Sequence, residues 1–297
     1  MNAGVRIGHA DIVAPQCVTR QGVGVPSTLI MGVVNVTPDS FSDGGAWFDE
    51  ERAVRHGLEL VEQGAAIVDV GGESTRPGAG RPSEQEELRR VVPVARRLAQ
   101  EGVAVSVDTM RGSVARACVE AGAAIINDVS GGLADEQMAR VVGETGVLYV
   151  LMHWRGHSTT MQSDELTRYD DVVSEVRAEL RQRAEAMLAA GVAREQIILD
   201  PGLGFSKTAE HNWQIMARLS EFGDDGYPVL LGASRKTFLG RIDLDESGEP
   251  APAPTRDAAT AATSLIGAQA GVWCVRVHDV PSTLAALRVH AATEAAR

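Results

Sequence analysis

Residues 103–127, VAVSVDTMRGSVARACVEAGAAIIN, contain the repeating unit that decides the fold. The stretch begins with an apolar run that stops at Asp108, continues through a helical pattern over 113–121, and ends with a second apolar run that stops at Asn127. Continuous apolar runs are typical of parallel strands that are buried on both faces, and parallel strands need a crossover between them. This stretch therefore predicts a strand, a helix and a second strand parallel to the first.

The same pattern recurs along the chain, where eight apolar runs each end at or just before polar residues able to take part in chemistry. The runs are residues 29–34 before Asn35, 65–68 before Asp69, 103–107 before Asp108, 123–126 before Asn127, 147–152 before His153, 197–199 before Asp200, 229–231 before Ser234, Arg235 and Lys236, and 272–277 before His278. Eight such strands predict an α/β fold of the closed (β/α)8 type, a TIM barrel. Their carboxyl ends then meet at one mouth, where we expect the functional site.

Segments with helical periodicity separate these runs. Residues 83–86, Ser-Glu-Gln-Glu, form a capping-box pattern at the start of one segment, and Gly191 follows another that spans 171–188. The remaining segments are 49–61, 113–121, 135–142, 209–219, 256–266 and 282–292. This alternation of strands and helices supports the barrel prediction.

The chain length favours one domain. Its 297 residues are close to the usual size of a single (β/α)8 barrel, so we expect a barrel over 28–297 and a short N-terminal extension over 1–27. Residues 243–254, DLDESGEPAPAP, form a polar excursion that we expect to be solvated and to have no catalytic part.

Two long loops follow the first two predicted strands, at 37–45 and 71–82. Both are rich in glycine, serine and proline, and long loops at a barrel mouth usually have a function. The first contains Asp39, Phe41 and Asp43. We expect both loops to be mobile when no ligand is bound.

Composition excludes several classes of function. With a net charge of -12, the chain is expected to bind neither nucleic acid nor anionic membranes. No run approaches the roughly 18 apolar residues of a membrane span, and residues 1–27 lack the features of a signal peptide, so we expect a cytoplasmic location. The three cysteines lack metal-ligand spacing, and Cys118 and Cys274 are expected to fill core space.

Only two of the 28 basic residues are lysines, Lys207 and Lys236, and each follows the end of a predicted strand. Codon bias explains an excess of arginine wherever surface charge alone matters. The two lysines need a local reason, because a compact ammonium on a flexible stem fits places that a planar guanidinium does not. The sequence therefore predicts a positional requirement at both residues.

Three polar residues at predicted strand ends surround one side of the barrel axis, namely Asp108, Asn127 and Asp200. A carboxylate accepts two parallel N–H bonds and an amide both donates and accepts, which matches the edge of a planar, amino-substituted nitrogen heterocycle. Lys236 could donate to a ring carbonyl or nitrogen. Acidic residues in such places also serve as metal ligands, proton-transfer pairs or helix caps, so the cluster alone leaves these alternatives open.

An anion site is predicted where the last strand lies beside the first. Arg276 offers a bidentate fork to phosphate oxygens, His278 adds a donor, and barrels frequently bind phosphate near these loops. Asn35 ends the first strand and could orient a hydrated Mg²⁺ that bridges substrate phosphates. His153 and His157 either line the mouth or pack beneath it.

Seven segments of the chain resemble the dihydropteroate synthases, the folate-pathway enzymes that sulfonamides target. The segments are MGVVNVTPDSFSDGG at 31–45, DVGGESTRPGA at 69–79, SVDT at 106–109, INDVSGG at 126–132, DPGLGFSK at 200–207, GASRK at 232–236 and RVHDV at 276–280. They occur in order over nearly the whole chain. The resemblance implies a homodimeric barrel that joins 6-hydroxymethyl-dihydropterin diphosphate to 4-aminobenzoate and releases diphosphate with the help of Mg²⁺.

Matched position by position, the resemblance also implies roles for individual residues. The pterin would be bound by Asp108, Asn127, Met152, Asp200 and Lys236. The diphosphate would be bound by Asn35, Thr75, Arg276 and His278, with Asn35 also holding Mg²⁺. The aminobenzoate would lie against Thr75, Arg76, Pro77, Phe205 and Thr237. The residues acting in the reaction would be Asp108, Lys236, Arg276 and His278.

The charges of these residues predict a dissociative substitution without a covalent enzyme intermediate. Positive groups would stabilise the leaving diphosphate, and carboxylates would surround the cationic carbon left behind. Two alternatives remain at this point. A pterin-dependent methyltransferase domain would share the pterin residues but lack the Thr75-Arg76-Pro77 segment, and a non-catalytic paralogue would bind pterin but carry damaged loops.

Overall fold

A computed structural model describes residues 27–36, 46–73, 81–157, 161, 163–244 and 248–297. The predicted N-terminal extension lies outside the described residues except for Ser27. Six residues singled out in the two long loops also lie outside them, namely Asp39, Phe41, Asp43, Thr75, Arg76 and Pro77.

Eight parallel strands form the predicted (β/α)8 barrel. The strands are β1 (Leu29–Asn35), β2 (Ile67–Gly71), β3 (Val105–Asp108), β4 (Ile125–Asp128), β5 (Leu148–Met152), β6 (Ile197–Asp200), β7 (Leu230–Leu231) and β8 (Cys274–Val277). Their hydrogen-bonded order is β6-β5-β4-β3-β2-β1-β8-β7. A parallel bridge between Leu199 and Val229 joins the two ends of this order, so the sheet closes on itself. Each apolar run predicted from the sequence overlaps one of these strands, which confirms the fold prediction.

Helices cover the outside of the barrel. They are α1 (Ala46–Gln63), α2 (Glu84–Gln100), α3 (Gly112–Glu120), α4 (Gln137–Thr145), α5 (Val172–Ala189), α6 (Ala209–Ala217), α7 (Thr237–Gly240), α8 (Asp257–Gln269) and α9 (Val280–Ala295). No sequence pattern predicts α7, because four residues are too few to show helical periodicity. None of the helices in the described ranges combines the length and apolarity needed to cross a membrane.

Side chains of the strands alternate between the helix layer and the barrel interior. Val34, Val70 and Val107 belong to the main core beneath the helices. A second buried cluster plugs the barrel below the mouth and contains Met31, Ile67, Ala124, Ile125, Leu148, Val150, Ile198, Leu230, Trp273 and Cys274. Closer to the carboxyl ends of the strands the interior becomes polar, so the charged groups of the mouth rest on an apolar layer.

The second strand continues beyond the end predicted from the sequence. Asp69 is predicted to end this run, but β2 extends through Val70 to Gly71. Asp69 therefore lies within the strand, and it is fully buried. The prediction of a strand end at Asp69 is wrong, because a charged residue can occupy a buried strand when the barrel interior supplies its partners.

Capping side chains begin α2 and α5 where the sequence predicts. The hydroxyl of Ser83 accepts the backbone N–H of Glu86 at 3.2 Å, and Asp171 accepts two backbone N–H groups in the first turn of α5. Glu86 turns its own carboxylate to Arg89 and Arg90 rather than back to the cap. These two arginines lower the pKa of Glu86 to about 2.

A buried carboxylate organises the turn after β4. Asp128 accepts the backbone N–H and the hydroxyl of Ser130 at 2.8 and 2.6 Å, the N–H of Gly132 at 2.9 Å and the hydroxyl of Tyr149 at 2.7 Å. Burial raises the pKa of Asp128 despite these bonds. The four bonds fix the backbone that immediately follows Asn127, one of the predicted site residues.

We expect Tyr149→Phe to lower the free energy of unfolding by about 1–3 kcal/mol, because Asp128 loses one donor at a place that water does not reach. Urea denaturation measures this change. Tyr227→Phe is a matched control, since Tyr227 is also buried and its hydroxyl makes no hydrogen bond to the rest of the described chain. A Tyr149→Phe variant as stable as the wild type would contradict the role given to Asp128.

Candidate active site

The mouth of the barrel collects polar residues from six strands. They are Asn35 on β1, Asp69 on β2, Asp108 on β3, Asn127 on β4, Asp200 on β6 and Arg276 on β8. The strand register places Asn35 opposite Gly71, Gly71 opposite Asp108, and Asp108 opposite Asn127. The convergence expected for strand ends is therefore present.

Arg276 connects two strands across this mouth. Its Nε donates to Asp69 Oδ2 at 2.6 Å, and its Nη2 donates to Asp108 Oδ2 at 3.0 Å. Asn127 Nδ2 donates to the same oxygen of Asp69 at 3.1 Å. The sequence predicts Arg276 as a phosphate ligand, and the structure adds that its guanidinium is held by two carboxylates. A guanidinium has five N–H donors, so donors remain for an anion.

Asp69 is one of the strand-end residues expected at the mouth, but the sequence pattern predicts no ligand or catalytic role for it. Its Oδ1 is buried and makes no hydrogen bond to any other part of the described chain. The available signal is an acidic residue flanked by Val68 and Val70 in a run predicted to be buried on both faces. A carboxylate in such a run requires a buried cation, and Arg276 provides it.

The pKa of Asp108 is strongly raised. Burial raises its pKa from 3.8 to about 7, while Arg276 opposes the shift and Asp69, Glu87 and Glu73 add to it. The surroundings therefore favour the protonated form of Asp108 more than water does. Asp108 can accept a hydrogen bond as a carboxylate or donate one as an acid.

A second carboxylate, Asp200, interacts with Lys236. Asp200 Oδ1 accepts the backbone N–H of Gly202 at 2.7 Å, and burial raises the pKa of this carboxyl against the effect of Lys236. Lys236 Nζ donates to the carbonyl of Leu203 and lies 4.7 Å from the centre of the Phe205 ring. Burial lowers the pKa of Lys236 to about 8, although Asp200 favours the charged form.

The turn that carries Lys236 is held by the start of α8. Arg235 adopts a φ of 58°, in the left-handed region that non-glycine residues rarely occupy. Its guanidinium binds Asp257 through two hydrogen bonds of 2.7 Å, and Arg256 Nη1 donates to its carbonyl at 2.8 Å. This unfavourable backbone conformation persists because the surrounding contacts determine it.

Ser234, in the same turn, orients His278. Its Oγ accepts the backbone N–H of His278 at 3.2 Å and lies 2.9 Å from Nδ1 of the same residue. We assign the hydroxyl proton to the bond with Nδ1, which leaves the proton of a neutral imidazole on Nε2. His278 then carries an N–H donor at Nε2.

An apolar wall borders the polar groups. Met110, Val129 and Met152 form a small buried cluster, and Trp154 and Phe205 pack against it. Met152 therefore lies in this wall beside Phe205, and its predicted contact with pterin stays a prediction. The wall offers a flat heterocycle an apolar face.

Two glycines, Gly71 and Gly232, lie next to the polar groups of the mouth. A β-carbon at Gly71 would lie 3.9 Å from Asp108 Oδ2, and one at Gly232 would lie 3.6 Å from Asp200 Oδ2 and 3.9 Å from Lys236 Nζ. A side chain at either position would project among these polar groups. Glycine at both positions therefore keeps a side chain away from Asp108, Asp200 and Lys236.

Arg111 contacts residues that flank the segment 74–80, to which Thr75, Arg76 and Pro77 belong. Arg111 binds the buried Glu87, donates to the carbonyl of Pro82 at 2.8 Å and lies 3.5 Å from Glu73. One arginine just beyond the end of β3 therefore contacts residues on both sides of the segment.

Thr237 lies apart from the other predicted residues. It is exposed at the start of α7, directly after Lys236. Within the described ranges, no hydrogen bond joins its side chain to the polar groups of the mouth. Its predicted contact with aminobenzoate stays a prediction.

Comparisons with known proteins agree with this geometry. A model of the pterin binding enzyme family matches residues 31–278. A dihydropteroate synthase of Mycobacterium leprae is 52% identical over 260 residues, which cover 88% of this chain and 91% of that protein. A structure of Xanthomonas albilineans dihydropteroate synthase with 4-aminobenzoic acid is similar with a TM-score of 0.82 at 44% identity, over 90% of this chain and 93% of that chain. A structure of the Xanthomonas enzyme in complex with 7,8-dihydropteroate has a TM-score of 0.79 at 41% identity, over 90% and 94%.

We expect Asp108→Asn to flatten the pH dependence of stability. Because the pKa of Asp108 is raised in the folded protein, the folded state binds this proton more tightly than the unfolded chain, and stability falls as pH rises from about 4 to about 7. Between these values the wild type should lose at least about 1 kcal/mol more of its unfolding free energy than the variant. Urea denaturation across this range measures both profiles, and parallel profiles would refute the expectation.

Proposed function

The chain belongs to the family of pterin binding enzymes and, within it, to the dihydropteroate synthases, and we propose how the residues of the mouth divide the work of this reaction. The reaction joins (7,8-dihydropterin-6-yl)methyl diphosphate to 4-aminobenzoate and releases diphosphate. The observation that carries the proposal is that Asp108, Asp200 and Lys236 lie close enough to interact at the barrel mouth beside an apolar wall, and we place the pterin in the gap between them. The relatives described above are dihydropteroate synthases, which favours this function over the methyltransferase alternative.

The pterin occupies this gap. Asp108 and Asp200 accept N–H groups of the ring, Asn127 donates and accepts, and Lys236 donates to a ring carbonyl or nitrogen. Asp200 uses Oδ1 for the N–H of Gly202, and its Oδ2 is the oxygen close to the open position at Gly232. The Met152 side of the mouth supplies the apolar contact with the ring.

The diphosphate binds at the edge of the mouth formed by β1 and β8. Arg276 uses two N–H groups to bind Asp69 and Asp108 and donates its other N–H groups to the diphosphate, and His278 donates its Nε2–H. Asn35 completes this edge from β1, which pairs with β8. Thr75 is the fourth proposed ligand and belongs to the segment outside the described residues.

Mg²⁺ fits this edge as an ion that arrives with the diphosphate. Asn35 supplies one amide oxygen, and no group of three His, Cys, Asp or Glu residues in the described ranges could hold a metal alone. Mg²⁺ prefers oxygen ligands, keeps several waters and commonly bridges substrate phosphates, so a single protein oxygen suffices. When bound, it supplies a Lewis acid that stabilises negative charge on the diphosphate.

The reaction breaks the bond between the pterin methylene carbon and the diphosphate oxygen, and the electron pair leaves with the oxygen. Arg276 and His278 stabilise the negative charge that develops there. The carbon becomes cationic, the dihydropterin ring delocalises the charge, and Asp108 and Asp200 provide negative surroundings. The neutral aryl amine then attacks with its lone pair and releases a proton. A strong general base and a covalent enzyme intermediate are therefore unnecessary.

The aminobenzoate lies on the outer side of the pterin. Phe205 supports this placement, because its ring packs against the Met152 cluster and lies beside Lys236. Thr75, Arg76, Pro77 and Thr237 are the further proposed contacts. Sulfonamides, which resemble aminobenzoate, would compete for the same place.

The enzyme is proposed to be a cytoplasmic homodimer. α8 and α9 pack against each other, and each exposes a large apolar side chain, Ile266 at 42% and Val289 at 64%. Cys118 and Cys274 are free, buried thiols, which suits a reducing compartment.

We expect Lys236→Ala to lower kcat/KM at least about thirtyfold, which corresponds to about 2 kcal/mol of lost transition-state stabilisation. The reason is that Lys236 Nζ is placed to bind the pterin while it borders Phe205. Release of diphosphate, assayed with and without 4-aminobenzoate, tests both the variant and the function of the wild type. Arg241→Ala serves as a control, since Arg241 is exposed just after α7. Near-wild-type kcat/KM in the lysine variant would contradict the assignment.

We expect 4-aminobenzoate to bind measurably only after the pterin and diphosphate positions are filled. Thr75 is proposed to contact both the diphosphate and aminobenzoate, and a bound pterin forms one side of the aminobenzoate pocket. Calorimetric titration compares aminobenzoate binding to the protein alone and to protein saturated with Mg²⁺, diphosphate and a pterin analogue. Equal affinities in the two titrations would show that the pocket is complete without the other ligands.

A further inference from the structure

Lys207, one of the two lysines in the chain, is buried outside the proposed ligand contacts. Its side chain lies just after β6, and the residue is only 2% exposed. Its Nζ lies 2.9 Å from His153 Nδ1, 3.1 Å from the carbonyl of Gly202 and 3.0 Å from the carbonyl of Phe205. Burial lowers the pKa of Lys207, and the three acceptors match the three N–H donors of its ammonium form.

His153 is arranged to accept a hydrogen bond from this lysine. Its Nε2 lies 3.0 Å from a carboxylate oxygen of Glu179, which accepts hydrogen bonds only, so Nε2 carries the proton. Nδ1 then presents a lone pair to Lys207. Burial, together with the nearby Lys207, lowers the pKa of His153 to about 3, which keeps the ring neutral. Of the two alternatives drawn from the sequence, His153 packs beneath the mouth.

The loop that Lys207 closes has an unusual backbone. Gly202, Gly204 and Ser206 all have positive φ values, of 66°, 78° and 49°. A serine in this region is unfavourable, so the loop needs contacts that hold it there. Lys207 binds carbonyls on both sides of Gly204, and the hydroxyl of Tyr169 donates to the carbonyl of Ser206 at 3.0 Å.

The same loop positions groups that face the ligands. The carbonyl of Leu203 accepts from Lys236, and the ring of Phe205 lies beside Lys236 and the Met152 cluster. Lys207 binds the carbonyl of Phe205 itself, so it fixes the backbone from which that ring projects. Asp200 depends less on the loop, because its backbone belongs to β6 and pairs with Met152 of β5.

We propose that Lys207 is a positioning residue for aminobenzoate, which holds Phe205 and the Leu203 carbonyl in place through His153 and the loop carbonyls. This inference rests on the proposed function. The proposed role explains why this position is lysine in an arginine-rich chain. Three converging acceptors in a buried space suit a compact ammonium better than a planar guanidinium. Lys207 touches no substrate and acts only through its neighbours.

Lys207→Met tests the proposal, because methionine has a similar length and no N–H donor. We expect the KM for 4-aminobenzoate to rise at least tenfold and the calorimetric Kd of a pterin analogue to rise by a smaller factor, since the loop also contacts Lys236 and Asp200. Lys207→Gln, which keeps two N–H donors, should raise the same KM at least threefold and serves if the methionine variant does not fold. Thermal unfolding checks that each variant is folded at the assay temperature.

Two results would overturn the role of Lys207. One is an aminobenzoate KM within twofold of the wild type in a folded variant. The other is an equal rise of the aminobenzoate KM and the pterin Kd, which would mean that Lys207 only supports the barrel. Failure of the wild type to form dihydropteroate would instead refute the proposed function, so the two failures are distinguishable.

Discussion

The ion pairs of Arg276 with Asp69 and Asp108 are the interaction on which the rest of the site depends. A buried carboxylate is unfavourable unless a cation and hydrogen bonds compensate it, and two neighbouring carboxylates also repel each other. Asp69 is fully buried on β2, and Arg276 reaches from β8 to this residue and to Asp108 on β3. One guanidinium therefore links three strands and allows an acidic mouth to exist in the folded protein.

In the proposed mechanism, Arg276 contacts both the residues around the cationic pterin and the negatively charged diphosphate. Asp108 and Asp200 surround the pterin, where positive charge develops, while Arg276 and His278 face the departing diphosphate. Lys236 compensates Asp200, and its lowered pKa of about 8 reflects the cost of burying a second cation in the mouth. The overall charge of -12 does not exclude the proposed diphosphate site, because Arg276 supplies a local positive charge at the edge formed by β1 and β8.

The sequence predicts the strands and most strand-end residues, because the first polar residue after each buried run falls at the same mouth once the barrel closes. Asp69 also lies at this mouth, but its role is not predicted, because its strand continues to Gly71 and keeps the carboxylate inside the barrel. The pairing of Arg276 with Asp69 is equally hidden, because barrel closure brings together residues 207 positions apart in the chain. A positional requirement at Lys207 is readable from the scarcity of lysine, but its acceptor His153 is not, because that contact depends on the packing of β5 beside β6.

The central claim is that the guanidinium of Arg276 is needed for binding both the pterin and the diphosphate, and Arg276→Lys tests it most directly. Lysine keeps the positive charge but lacks the planar fork that binds two carboxylates at once. Calorimetry would measure the affinities of a pterin analogue and of diphosphate with Mg²⁺, each titrated separately. Both affinities should fall at least tenfold, because Arg276 orients Asp108 for the pterin and itself binds diphosphate. A variant that loses affinity for diphosphate alone, with unchanged pterin binding, would contradict the claim.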